Sequence, residues 1–169
     1  MANEILSSER VRELLDYDPE TGVFVRKVRM AQAHQVGDRA DLPGHGNLKG
    51  YRTIGLFNKK YLAHRVAWLY VYGEWPEQHI DHINGERGDN RIANLRDVPL
   101  KVNTQNKRSP MPSNKSGLLG AVWYPQNQKF RARIQVGKKF IHIGMFYTAE
   151  AAHEAYVRAK RKYHEGCTI

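Results

Sequence analysis

The alternation of apolar and polar positions divides the first half of the chain into short elements separated by turns. Residues 6–15 contain a capping serine, after which Val11, Leu14 and Leu15 recur at helical spacing. The run at 23–29 alternates as a strand. The stretch 30–50 is rich in glycine and polar residues, which predicts a loop. The run at 51–64 alternates around a turn at Asn58-Lys59-Lys60, the pattern of a β-hairpin.

A helix follows, and its composition indicates that it is buried. It ends at the breaker residues Gly73 and Pro76. Because its apolar positions cover most of the circumference, we expect it to lie beneath the segment at 80–98. The apolar positions are Val66, Ala67, Leu69, Tyr70 and Tyr72.

The pattern changes after residues 111–117, whose sequence MPSNKSG is typical of a linker. Three runs of period two follow, and then a helical pattern with Thr148 as N-cap and Gly166 as stop. The sequence therefore predicts an α+β protein with a first domain at 1–110 and a small second domain at 118–169. The second domain is predicted to be a three-stranded antiparallel sheet packed on one helix.

The predicted strands of the second domain have one apolar and one polar face. Ala132, Ile134 and Val136 fall on the face that the helix would cover through its alanines. Trp123 and Phe146 are assigned to the core. The opposite face is polar and basic, and Arg and Gln side chains on a sheet can read guanine and adenine in the major groove. The candidate DNA contacts are Tyr124, Arg131, Arg133, Gln135, Lys138, Lys139 and His142.

Charge is concentrated in the last part of the chain. Residues 1–100 contain 14 Lys+Arg and 14 Asp+Glu, whereas residues 101–169 contain 13 and 3, so the net charge of +10 lies in the second part. A basic block of this kind favours a polyanion such as nucleic acid; the simpler interpretation is that the lysines keep a small domain soluble. A single cysteine, Cys167, excludes a disulfide framework. The chain shows no secretory signal and no apolar run long enough for a membrane span, which predicts a cytoplasmic protein with no membrane partner.

The segment at 80–98 holds the candidate catalytic chemistry. Asp81 and His82 are adjacent, and the turn signal Asn84-Gly85 follows. Histidine can deprotonate water near neutral pH because its ordinary pKa is about 6.5. A carboxylate can hold a hard divalent ion such as Mg²⁺. Since neighbouring residues of a strand point to opposite sides, both can serve one site only where the strand ends and frays.

Three asparagines extend this pattern. The amide of Asn94 can bond the backbone across the intervening loop and fix the orientation of His82. Asn103 and Asn106 share one face of a short predicted helix that begins after Pro99. An amide oxygen is a neutral ligand suited to completing a metal site that has one carboxylate. Alone, an Asp-His pair is ordinary in solvated loops, so the prediction depends on these asparagines.

The spacing of His82, Asn94 and Asn103 resembles that of the HNH family of nucleases. The flanking sequence at 64–76 is similar to the phage and intron-homing branch of that family. The resemblance implies the ββα-metal fold with one Mg²⁺ or Mn²⁺ per site. It implies that His82 is the general base, that Asn94 braces the loop, and that Asp81 and Asn103 bind the metal. The chain has asparagine where many members place the last histidine, which leaves Asn106 as an alternative ligand.

Residues 116–159 are similar to the plant apetala-two/ethylene-response-factor DNA-binding domain, above all in the stretch IHIGMFYTAEAAHEAYVRA. The resemblance implies that the sheet, and not the helix, meets DNA. Several strand positions differ from the plant domains, so base preference does not carry over. These positions are Val122, Tyr124, Gln135 and His142.

Together these features predict a metal-dependent, site-directed endonuclease acting on double-stranded DNA, as a monomer or weak dimer that nicks or cuts. The alternative is a DNA-binding regulator in which the HNH region is an inactive scaffold. Cleavage separates the two hypotheses, because both predict salt-sensitive DNA binding.

Overall fold

Turn-forming residues recur every few positions, so the chain forms many short elements. A computed structural model describes residues 6–169. The chain divides into two units, Met1–Pro99 and Leu100–Ile169. The architecture is mixed α+β, with several small antiparallel sheets. Within the described range, no helix is both long and apolar enough to cross a bilayer. The elements of the first unit are α1 (Ser8–Leu14), β1 (Leu15–Asp18), β2 (Val23–Arg26), β3 (Asp41–Pro43), β4 (Arg52–Leu56), β5 (Lys59–Leu62), α2 (Ala63–Tyr72), β6 (His79–His82) and β7 (Leu95–Val98).

The core of the first unit forms where α1 and α2 pack on the strands. Ser7 caps α1 as the sequence predicts, and its side chain accepts a hydrogen bond from the backbone N–H of Arg10. Helix α2 ends at Gly73, whose left-handed backbone (φ 85°) is the usual end of such a helix. The fully buried members of the core are Val11, Leu15, Phe24, Ile54, Ala63, Val66 and Ala67.

Two predictions for residues 30–62 need correction. The stretch 30–50 is not all loop, because it contains β3, which pairs with β4 through Asp41↔Ile54. The buried carboxylate of Asp41 holds this strand by bonding Arg39, Arg52 and the backbone N–H of Phe24. The turn of the β4–β5 hairpin lies at Phe57–Asn58, one residue earlier than expected.

The second unit contains the three antiparallel strands and the helix that the sequence predicts. The sheet order is β10-β9-β8, and Thr148 caps α4 by accepting a bond from the N–H of Ala151. Helix α4 ends at Tyr163, before the predicted stop at Gly166. Trp123 is 46% exposed, so the assignment of Trp123 to the core is wrong. Phe146 packs against the core of this unit. The elements are α3 (Leu100–Gln105), β8 (Ala121–Tyr124), β9 (Lys129–Val136), β10 (Lys139–Phe146) and α4 (Ala149–Tyr163).

The division into units begins the second one at α3. The boundaries predicted from the sequence, a domain to residue 110 and a linker at 111–117, stay predictions. Residues 111–117 form successive turns, with hydrogen bonds from the N–H of Asn114 to the carbonyl of Met111 and from the N–H of Gly117 to the carbonyl of Asn114. The Asn114 side chain also accepts from the N–H and hydroxyl of Ser116.

Candidate active site

The adjacent residues Asp81 and His82 end strand β6. They pair across the ladder with Arg96 and Leu95 of β7. The strand ends at His82 as expected but does not fray open, because Asp81 is 4% and His82 5% exposed. The Asp81 carboxylate nevertheless acts on the pKa of His82, so a frayed end is not needed for the two groups to interact. The two side chains are buried on neighbouring positions of a paired strand.

Asn94 braces the loop that joins β6 to β7. Its side-chain oxygen accepts from the backbone N–H of Asn84 at 2.9 Å, and its side-chain nitrogen donates to the carbonyl of Asp89 at 2.8 Å. The backbone N–H of Ile83 donates to the Asn94 carbonyl at 2.9 Å. The amide therefore spans the loop as the sequence suggests, and it fixes the path of the chain on both sides of the turn.

Asn90 is a site residue that sequence reasoning missed. Its side-chain oxygen lies 3.2 Å from Nε2 of His82, and the residue is 1% exposed. With the Asn90 amide in this orientation its oxygen can only accept, which assigns the imidazole proton to Nε2 and the ring lone pair to Nδ1. The Nδ2 atom of Asn90 is buried and has no hydrogen-bond partner among residues 6–169. In the sequence, Asp89-Asn90 is indistinguishable from an ordinary turn, so only its place in the fold identifies it.

A second histidine and a tyrosine pack against His82. The ring of His64, on the first turn of α2, meets the His82 ring edge-on with centroids 5.0 Å apart. The Tyr51 ring lies 5.4 Å from that of His64 and 6.1 Å from that of His82. The Arg87 guanidinium covers Tyr51, with its carbon 4.9 Å from the ring centroid. The sequence analysis left His64 without a partner, whereas the fold places it beside the candidate base.

Burial keeps both imidazoles neutral near pH 7. The pKa of His64 is lowered to about 3, chiefly by burial and in addition by the nearby charges of His82 and Arg65. Burial also lowers the pKa of His82, while the hydrogen bond with Asn90 and the Asp81 carboxylate act in the opposite direction. A neutral His82 is the form that can accept a proton from water.

Asp81 forms an ion pair that the sequence analysis did not anticipate. Nε and Nη2 of Arg96 lie 2.9 Å and 2.7 Å from the same carboxylate oxygen, Oδ2. Both contacts are charge-assisted hydrogen bonds to that oxygen. Across residues 6–169, no group of three or more His, Cys, Asp or Glu side chains is placed to hold a metal ion. The predicted metal ligands, the carboxylate of Asp81 and the amide of Asn103, do not form a group of that kind, because an amide is not among those side chains.

The β1–β2 turn supports the loop that carries Asn90. The Tyr17 hydroxyl donates to the Asn90 carbonyl at 2.7 Å, and the N–H of Ile92 donates to the Pro19 carbonyl at 3.3 Å. Gly22 has a left-handed backbone (φ 72°), and a Cβ there would lie 2.4 Å from the Arg91 nitrogen. Only glycine allows this approach, so the turn fits directly under residues 90–92.

We expect Gly22→Ala to reduce stability and to displace Asn90. The left-handed backbone alone costs an alanine about 1–2 kcal/mol, and the contact with Arg91 adds to this. The measurement is urea unfolding together with the NMR signals of the His82 ring.

Gly37→Ala is the matched control for this substitution. Gly37 is also left-handed (φ 92°), but a Cβ there meets no described atom within 4 Å. The variant should show only the backbone cost and leave the His82 signals unchanged. Equal destabilisation in the two variants would contradict the supporting role of the turn.

The remaining predicted ligands lie in the second unit. Asn103 is half-buried on α3, and Asn106 is buried just after the helix. The Asn106 side-chain oxygen accepts from the hydroxyl of Thr168, and its backbone N–H donates to the Asn103 carbonyl at 3.1 Å. The contact with Thr168 gives the Asn106 oxygen a structural role inside the second unit.

Tyr124, Arg131, Arg133, Gln135 and His142, five of the predicted DNA contacts, share the sheet face opposite α4. The Arg131 guanidinium stacks on the Tyr124 ring (4.7 Å) and that of Arg133 on the Phe140 ring (4.5 Å). These contacts orient two arginines that would otherwise be mobile. The register places His142 opposite Arg133 and Phe140 opposite Gln135. The other predicted contacts are the exposed residues Lys138 and Lys139, at the turn between β9 and β10.

Comparison with known proteins bears on part of this arrangement. Residues 61–105 match the family model described as HNH endonuclease. The chain is 33% identical over 79 residues to "Protein 3.8" of Escherichia phage T7, an alignment that covers 46% of this chain and 64% of that relative. The chain thus spans less than two thirds of the length of this relative. No solved structure gives a significant match. The segment that contains α2, His82, Asn94 and Asn103 therefore matches the HNH endonuclease family model.

Proposed function

We propose that the protein is a metal-dependent DNA endonuclease that hydrolyses phosphodiester bonds at directed sites. The observation that carries this proposal is the hydrogen bond between Asn90 and Nε2 of His82 within the HNH segment. It gives the chain a buried, neutral imidazole in a defined tautomer. Few structural roles need such a group, whereas a general base does.

His82 is the general base in this proposal. With its proton on Nε2, the ring accepts a proton from the attacking water at Nδ1. Asn94 acts through the loop, because it holds both ends of the turn that carries Asn90. Asn90 and Asn94 are thus positioning residues, and His82 is the catalytic one.

The donor chemistry fits a hard divalent cation, Mg²⁺ or Mn²⁺. Asp81 offers a buried carboxylate whose hydrogen bonds from Nε and Nη2 of Arg96 both reach a single oxygen. We propose that Asp81 and the amide oxygen of Asn103 hold the ion, with Asn106, whose oxygen accepts from Thr168, as the alternative ligand. When bound, the ion would neutralise charge on the scissile phosphate and on the departing oxygen. The order of β6, β7 and α3 along the chain is that of the ββα-metal fold.

The β8–β10 sheet is the proposed DNA-reading surface. Its arginines are held by aromatic rings on the face that α4 does not cover, and an ordered guanidinium loses less entropy on binding a base edge. The concentration of net charge in residues 101–169 would supply salt-sensitive affinity for double-stranded DNA. Tethering this module to the nuclease raises the local concentration of each at the target.

The test is cleavage of supercoiled plasmid and phage genomic DNA by the full chain. We expect nicked or linear product with Mg²⁺ or Mn²⁺ and none when EDTA is in excess, because the proposed chemistry needs the cation. Sequencing the ends would show whether cutting is directed. Tight binding without cleavage in any divalent ion would instead favour a DNA-binding regulator with an inactive HNH scaffold.

The proposed setting is the cytoplasm of a bacterial host, which fits the phage relative. One site per chain acts on one strand, so we propose a monomer that nicks or a weak dimer that cuts both strands. Analytical ultracentrifugation with and without target duplex distinguishes these states.

A further inference from the structure

A cleft in the first unit, formed by residues apart from His82 and its partners, concentrates positive charge. Its volume is about 640 Å³, and it lies between α1, the segment after β2 and the β4–β5 hairpin. The cations on its walls are Arg10, Arg29, Lys59 and Lys60, of which Arg10 is paired with Glu13, and none of the described lining residues is acidic. This is unusual for its surroundings, since residues 1–100 contain equal numbers of acidic and basic side chains.

The ion pairs of the first unit explain how the cleft becomes basic. The buried carboxylates of the first unit form ion pairs with arginines outside the cleft. Asp41 pairs with Arg39 and Arg52, and Asp81 pairs with Arg96. Within residues 6–169, no carboxylate forms an ion pair with Arg29 or Lys60. The sum of charges is neutral, but their distribution leaves a positive concave surface.

The tip of the β4–β5 hairpin adds an apolar contact. Phe57 is 52% exposed, and it adopts a left-handed backbone (φ 50°), which is rare for a bulky residue. The neighbouring Asn58 is also left-handed (φ 59°), so the turn holds the Phe57 ring at the rim of the cleft. The Arg10 guanidinium lies 5.7 Å from the centroid of that ring.

The floor of the cleft includes a glycine in the middle of a strand. Gly55 lies on β4, and a Cβ at this position would meet no described atom within 4 Å. A glycine in a strand interior often marks a place where a ligand approaches the backbone closely. Together, the open floor, the cationic walls and the exposed ring suit a strand of alternating phosphates and sugars.

We propose that this cleft binds the phosphodiester backbone of DNA. The phosphates contact Arg29, Lys59 and Lys60, and the apolar edge of a sugar contacts Phe57. The proposal rests on the proposed function in taking DNA as the polyanion. It means that the nuclease unit has its own hold on DNA, separate from the β8–β10 sheet.

The test is fluorescence anisotropy of a labelled mixed-sequence duplex with the full chain, in EDTA, over a series of NaCl concentrations. We expect the Arg29→Gln/Lys60→Gln double variant to reduce the salt slope of log K by about 0.9 for each phosphate that the cleft no longer neutralises. Lys27→Gln is the matched control: Lys27 does not line the cleft, and its Nζ donates to the Arg12 carbonyl at 2.8 Å. Equal slopes for wild type and the double variant, or an equal reduction in the control, would overturn the proposal.

A neutral substitution separates the cleft itself from net charge. Gly55→Val fits the strand without a described steric contact and fills the floor, so it should weaken DNA binding while the unfolding midpoint is maintained. Binding equal to wild type would overturn the proposal. AMP at the phosphate concentration of the duplex should not displace it; displacement would assign the cleft to a small nucleotide and also overturn the proposal.

Because these measurements contain no divalent ion, they do not depend on cleavage. A protein that shows the slope change but never cuts DNA would retain the cleft and lose the nuclease proposal. If the protein cuts DNA but the double variant has the same salt slope as wild type, the nuclease proposal is retained and the cleft proposal is lost.

Discussion

Replacement of His82 by alanine is expected to reduce the rate of metal-dependent cleavage by roughly 10²–10⁴-fold. The reason is that the variant lacks the proposed general base, while the proposed DNA-binding surfaces are unchanged. The measurement is single-turnover nicking of supercoiled plasmid in Mg²⁺ and Mn²⁺. The duplex affinity in EDTA should stay within the range of the wild type.

His79→Ala is the matched control for this experiment. His79 lies on the same strand but is exposed and outside the cluster around the candidate base. It should cut at the wild-type rate. If His82→Ala keeps more than about a tenth of the wild-type rate, a smaller reduction than general-base removal gives, the base is a different residue. A parallel unfolding measurement shows whether any reduction comes from a weakened fold.

The acid sensitivity of the fold is expected to come largely from His64. Its pKa in the folded protein is about 3, and an unfolded histidine titrates near 6.5. Between these values the unfolded chain binds a proton that the folded one does not, so stability falls as pH falls from 6.5 toward 3. At pH 5 this contribution is about 2 kcal/mol of lost unfolding free energy.

Urea unfolding at pH 7 and pH 5 tests this for His64→Gln against wild type. The variant will be less stable at pH 7, because a flexible amide replaces a packed ring. The loss of unfolding free energy between pH 7 and pH 5 should nevertheless be smaller for the variant than for wild type, by about 2 kcal/mol. His79→Gln is the control, since an exposed ring is in water in both states. The same pH dependence in wild type and His64→Gln would show that the ring does not stay neutral in the fold.

The sequence predicts the elements of this protein well where local patterns decide them. The caps at Ser7 and Thr148, the end of α2 at Gly73 and the strands β8–β10 all depend on residues within a few positions of one another. Alternation also places Arg131 and Arg133 on the correct face, because the period of a strand is two whatever its partners are.

The errors arise where tertiary contacts decide the outcome. Strand β3 forms in a polar stretch because Asp41 gains buried partners that lie both nearby and across the sheet. Trp123 is exposed although its strand is correct, since alternation gives the face of a residue and not how much of that face is covered.

The candidate site shows the same division. Spacing identifies His82 and Asn94, and the structure bears out the contact expected of the Asn94 amide. The sequence does not identify Asn90, His64 and Arg96, because these residue types are ordinary in a turn, a helix and a strand. Only folding brings them to His82 and Asp81.

The β1–β2 turn with Gly22, which lies under residues 90–92, limits which fragments of this protein can be expected to keep the candidate site. The family signature covers residues 61–105, yet Tyr17 and Gly22 lie far upstream of it. An excised signature, or one grafted onto another scaffold, would keep every letter of the motif and lose the surface against which Asn90 rests. Any transplant of this candidate loop therefore has to include the β1–β2 hairpin.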